Sequence, residues 1–137
     1  MGAGLRATAA LVATLGCCLL AVNAPPGAMG DAARGERVFQ RCFSCHSVAR
    51  NETAQLQGPS LFGILGRPAA AVAGFDYSDA MKAKAATGLV WTPDTLDSFI
   101  ADPDAFVPGT PMVILPPLGD AQDRADLIAY LARPAAR

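Results

Sequence analysis

The segment Cys42-Phe43-Ser44-Cys45-His46 holds the only histidine of a 137-residue chain, set directly behind two cysteines that are separated by two residues. Whatever the chain folds into must present two thiols and an imidazole from one short stretch. Three kinds of site use such a triplet. A structural zinc site needs four Cys or His ligands in a closed tetrahedron; beyond residue 30 the sequence offers three, all in this one segment. A redox dithiol is usually met beside a βαβ pattern, and no such pattern is present. Covalent haem attachment uses both thiols, which add to the two vinyl groups, and lets the adjacent histidine reach the iron. The third reading explains all three residues at once, and the rest of the chain decides among them.

An iron held by His46 has a sixth position, and there is no second histidine to fill it. A methionine thioether commonly completes such a site and raises its reduction potential. Met81 and Met112 are the candidates; Met29 lies beside a possible cleavage region. Met81 falls in a predicted helix among Asp79, Lys82 and Lys84, where a half-buried helix residue is the plainer reading. Met112 falls in Pro-Gly-Thr-Pro-Met-Val-Ile-Leu-Pro-Pro, a proline-stiffened loop able to hold a sulfur at a fixed point. It is the better ligand candidate, with a core-filling methionine as the plain alternative.

The N-terminus reads as an export signal. Arg6 and the initiator amine precede an uncharged apolar run from Ala7 to Val22, followed by Asn23, Ala24 and a Pro/Gly stretch. Sixteen residues are few for a spanning helix. Val22-Asn23-Ala24 and Ala28-Met29-Gly30 are the candidate cleavage sites. We expect residues 1–30 to be signal and residues 31–137 one mature domain, the rival being an uncleaved anchor. Cys17 and Cys18 then leave with the signal. A lipid anchor would want an aliphatic residue three before the cysteine, where Thr14 stands. Export places Cys42 and Cys45 in an oxidising compartment.

The remaining text predicts a small all-α domain of four to five short helices with long loops. Asp31 to Cys45 reads as a helix running into the cysteine motif, with Val38, Phe39 and Cys42 on one face. Residues 51–74, rich in Gly, Pro and Ala, read as loops. Ser78 caps a short helix. Thr92 caps another, with Pro93 at its first position and Pro103 as its stop. The prolines at 108, 111, 116 and 117 impose extended loop from Phe106 to Gly119. Asp120 caps the last helix, which Pro134 follows. A formal net charge of −1 and 52% hydrophobic residues argue against a nucleic-acid binder or a disordered tail.

Together these segments resemble a class I cytochrome c of the mitochondrial type and its soluble bacterial relatives. The likeness covers nearly all of residues 31–137 in order: GERVFQRCFSCHSV, GPSLFGILGR, FDYSDAMKAKA, VWTPDTLDSFIADP, PGTPM and DLIAYLA. It implies the class I cytochrome c fold, with helices wrapped around one haem c bound through Cys42 and Cys45. It implies His46 and Met112 as axial ligands, with the carbonyl of Pro59 accepting from the other ring nitrogen of His46. Arg67, Tyr77 and Trp91 would lie near the haem propionates, Thr110 beside the ligand methionine. Gly35 and Phe39 would meet Leu127 and Tyr130 where the terminal helices cross. Phe99 stands where the family usually has a tyrosine, Met81 where many members have an asparagine, and Pro111 where a lysine is usual. Only two lysines, Lys82 and Lys84, occur in the chain.

The function so implied is a periplasmic, monomeric, single-haem electron carrier and not an enzyme. Its partners would be a quinol-oxidising complex, a terminal oxidase, a photosynthetic reaction centre or a periplasmic dehydrogenase, met by transient docking at membrane complexes. The competing readings are a haem enzyme or gas sensor with a dissociable Met112, for which Phe99 gives some footing, and a membrane-tethered subunit.

Overall fold

The computed structural model describes residue 1 and residues 30–133. The apolar run, Cys17, Cys18, both candidate cleavage sites but for Gly30, and Pro134 lie outside them. Five helices follow in order: α1 Ala32–Phe39, α2 Asp79–Ala86, α3 Pro93–Ala101, α4 Pro103–Phe106 and α5 Ala121–Leu131. Among the described residues the only β pairing is an isolated antiparallel bridge between Pro68 and Val90. No helix among them is long and apolar enough to cross a membrane.

The caps explain where the helices start. The Asp31 carboxylate accepts the Ala33 and Arg34 N–H groups at 2.8 and 3.2 Å, two donors that the first helical turn leaves unpaired. Asp120 likewise accepts two such donors for α5, and Ser78 accepts one, the Met81 N–H, for α2. Thr92 and Thr95 cap α3 reciprocally, with Pro93 at the first position. Pro103 ends α3 as its sequence suggests, but it also opens α4, a four-residue helix capped by Asp102. Both effects have one cause: proline lacks the N–H that a helix interior needs and a first turn does not.

α1 and α5 cross closely, and a glycine makes the crossing possible. A Cβ at Gly35 would lie 1.9 Å from the Asp126 carbonyl oxygen and 2.8 Å from Tyr130 Cβ. One turn on, the rings of Phe39 and Tyr130 meet at 5.4 Å. An ion pair with a buried carboxylate and a half-exposed arginine locks the same crossing. Asp126, 1% exposed, accepts from Arg34 Nε at 2.7 Å, from the Asp31 N–H at 2.6 Å and from Gln122 Nε2 at 2.8 Å. Arg34 holds its carboxyl well below the ordinary carboxylate value. With that seam fixed, Leu127, Leu131, Leu96, Ile100, Trp91 and Phe99 turn inward around one cavity.

Candidate functional site

Past Phe39 the chain continues in hydrogen-bonded turns. The Cys42 N–H donates to the Phe39 carbonyl at 2.7 Å, and the Cys45 and His46 N–H groups to that of Cys42 at 3.1 and 2.9 Å. This coil brings Cys42, Cys45 and His46 to the wall of one cavity of about 470 Å³, a volume suited to a small cofactor. Neither thiol is in a disulfide. Burial pushes the Cys42 thiol above its ordinary pKa.

His46 is fixed from two sides. Its Nδ1 lies 2.8 Å from the Pro59 carbonyl oxygen. A carbonyl can only accept, so Nδ1 carries the proton and Nε2 keeps its lone pair free for a metal. Burial moves the imidazole pKa below its ordinary value, and the Pro59 bond opposes that only in part. Gly58 flanks the ring: a Cβ there would lie 2.2 Å from Cε1 and 2.7 Å from Nε2. The Gly58 N–H also donates to the Cys45 carbonyl at 2.8 Å, so separating the two segments to make room would break that bond. Glycine is required here by close approach, a signal the sequence alone presents only as a Gly-Pro turn.

The opposite wall comes from the loop between α4 and α5. From 111 to 115 exposed and half-buried residues alternate, as in an extended chain, and Met112 and Ile114 are the half-buried ones. The Thr110 hydroxyl accepts the Met112 N–H at 3.3 Å. Val107, 1% exposed, and Leu118, 3% exposed, anchor the loop on either side. Met81 also lines the cavity; it is the one buried residue of α2. Phe99 stacks on Trp91 at 5.2 Å and is itself buried. Met81 and Phe99 thus leave this wall apolar.

Arg67, Tyr77 and Trp91 line the same cavity. Arg67 donates to the Ser60 and Phe62 carbonyls at 2.7 and 2.9 Å, which leaves three of its five N–H donors for an anion. The Tyr77 hydroxyl accepts the Val72 N–H at 3.2 Å, so its proton remains to be donated. Burial lowers the Arg67 pKa and raises that of Tyr77. All nine residues singled out from the sequence therefore border one space. Ile64, Leu96, Ile100, Leu127 and Leu131 border it too; in the sequence they are apolar residues like any others of the core.

The donor set fits haem c. Two thiols, an imidazole with a free Nε2 and a thioether face apolar walls, and an arginine and a phenol stand ready for carboxylates. Among the described residues, no three His, Cys, Asp or Glu side chains converge as a zinc cage would need. The chain is similar to known proteins along the same span. The Cytochrome c family model matches residues 32–133. Cytochrome c 2.1 of Caenorhabditis briggsae is 47% identical over 103 residues, which are 74% of this chain and 87% of that protein. Cytochrome c2 of Blastochloris viridis is 41% identical over 116 residues, 85% of this chain and 87% of that one. The solved cytochrome c2 of Rhodospirillum centenum superposes with a TM-score of 0.69 at 38% identity, over 74% of this chain and 96% of that chain. The attachment motif, the helices around one cavity and this similarity have one explanation: the chain belongs to the cytochrome c family and carries one haem c, bound through Cys42 and Cys45.

Proposed function

We propose that this single-haem electron carrier works in the periplasm with its iron held between His46 Nε2 and Met112 Sδ. The observation that carries the reading is that an imidazole with its Nδ1 committed to Pro59 and a loop-borne thioether line one apolar cavity. When bound, the haem supplies a one-electron Fe(III)/Fe(II) couple. The chain's own residues do the rest. Pro59 fixes the imidazole and raises its basicity. Thr110 fixes the start of the Met112 segment. Apolar walls disfavour the more highly charged oxidised state and so raise the potential. Arg67, Tyr77 and Trp91 meet the propionates. Filling the sixth position leaves no place for substrate, so the chain is a carrier and not an enzyme.

Residues 1–30 serve as an export signal and residues 31–137 as the mature, monomeric domain; N-terminal sequencing of the purified protein tests the division. The partners are drawn from quinol-oxidising complexes, terminal oxidases, reaction centres and periplasmic dehydrogenases. They dock where the cavity opens beside Val113, 68% exposed, with Arg41 of the cysteine segment on the same lining giving weak orientation.

The test of ligation compares two variants. Met112→Ala should abolish the weak far-red sulfur–iron band of the ferric protein, and Met81→Ala should keep it. The reverse pattern would make Met81 the ligand.

A further inference from the structure

The methionine segment is poorly anchored by its own side chains on the downstream side. Val113 and Leu115 are exposed, Ile114 between them is only half-buried against the core, and full burial resumes at Leu118. What holds this side is a guanidinium. Arg124, on the first turn of α5, donates through Nη1 to the Leu118 and Gly119 carbonyls at 3.0 and 2.9 Å. Its Nε donates to Asp97 Oδ1 on α3 at 2.7 Å, and its Nη2 lies 3.5 Å from Oδ2 of the same carboxylate. The Arg124 side chain is only 12% exposed. One planar group thus fastens the end of the loop to two helices, and only arginine has the fork to do so.

We propose that Arg124 is a positioning residue for the iron ligand: it closes the downstream end of the methionine loop and thereby limits how often Met112 leaves the metal. The proposal rests on Met112 being the sixth ligand. Upstream, the loop has its own fixings: Val107 is buried, the Gly109 N–H donates to the Asp104 carboxylate at 2.9 Å, and Thr110 holds the Met112 N–H. Downstream, the stretch between Met112 and Leu118 has half-buried Ile114, the clasp at its end and the Arg41 guanidinium on the Pro116 carbonyl. Charged hydrogen bonds of this kind contribute more than neutral ones, and local opening of a loop is governed by such anchors and not by global stability alone.

The test is the rate at which imidazole displaces the sulfur in the ferric holoprotein, read by loss of the far-red band. Arg124→Lys keeps a charge for Asp97 but cannot span three acceptors, and it should raise that rate about ten-fold. Asp97→Asn leaves the carbonyl contacts and should raise it about three-fold. Asp126→Asn weakens the α1–α5 lock without touching any partner of Arg124, and should leave it within about two-fold although the protein unfolds more easily. Parent-like rates in both Arg124→Lys and Asp97→Asn would overturn the proposal. So would an equal rise in Asp126→Asn, since ligand loss would then follow global stability. If Met112→Ala keeps the band, the ligand assignment itself has failed, an outcome separate from failure of the clasp.

Discussion

Gly58 and His46 are in such close contact that a Cβ on the glycine would lie 2.2 Å from the imidazole Cε1. Real Cβ atoms do not approach so near, so any side chain at 58 must push the ring off the Pro59 carbonyl or drive the two segments apart. Gly58→Ala should lose about 1–3 kcal/mol of stability, the usual range for overpacking. It should also disturb the imidazole–iron geometry, seen as a changed potential or low-spin spectrum. Denaturant melts and a redox titration of the holoprotein check both effects. A variant with parent stability and potential would show that the segments separate freely.

The Asp126 lock makes a signed prediction about pH. Its carboxyl titrates below its ordinary value when folded. Below about pH 4, the ordinary aspartate value, the unfolded chain takes up a proton that the folded chain refuses, so acid favours unfolding. Above that value both states are ionised and the contribution is fully present. Asp126→Asn should therefore be less stable than the parent at pH 7, with the gap narrowing as pH falls below about 4. Melting temperatures across pH 2–7 check this; a gap that is constant with pH would mean that the carboxylate charge contributes nothing.

Folding should depend on the haem. A chain that never receives it must fill some 470 Å³ bordered mostly by apolar side chains with water, or collapse. Filled with water, it leaves apolar side chains hydrated that the haem would otherwise cover, and this loss of burial weighs heavily against a domain stability of about 5–15 kcal/mol. Cys42→Ala combined with Cys45→Ala should leave little helical circular dichroism. A fully helical haem-free chain would contradict this.

The sequence made much of this legible because its signals were local. Ser78, Thr92 and Asp120 stand where helix caps belong, Pro93 where a first turn accepts proline, and Cys42, Cys45 and His46 adjoin in the chain. What it hid depends on contacts distant in sequence. Gly58 reads as a turn residue until His46 is placed beside it. Asp126 looks like a solvated helix charge until Arg34 arrives from 92 positions away. Arg124 likewise looks solvated until Leu118, Gly119 and Asp97 surround it. Pro103 hid α4 because one residue both stops and starts a helix.

Docking should depend only weakly on salt. Residues 103–119 contain no lysine or arginine, and the methionine loop exposes Val113 and Leu115; Arg41 is the exposed cation on the cavity lining. Exposed charges elsewhere are screened within about 8 Å at ~0.15 M salt. The second-order electron-transfer rate with the physiological partner should change by no more than about three-fold between low and physiological ionic strength. A hundred-fold fall would show that charge steering governs the encounter.

Closed ligation is the central claim, and the reduced holoprotein under carbon monoxide tests it most directly. With His46 and Met112 both on the iron there is no free position, so the Soret spectrum at neutral pH should not change when the gas is added. A rapid, saturable shift to a carbon monoxide adduct would show that Met112 leaves readily, and the chain would then be a ligand-binding haem protein instead of a carrier.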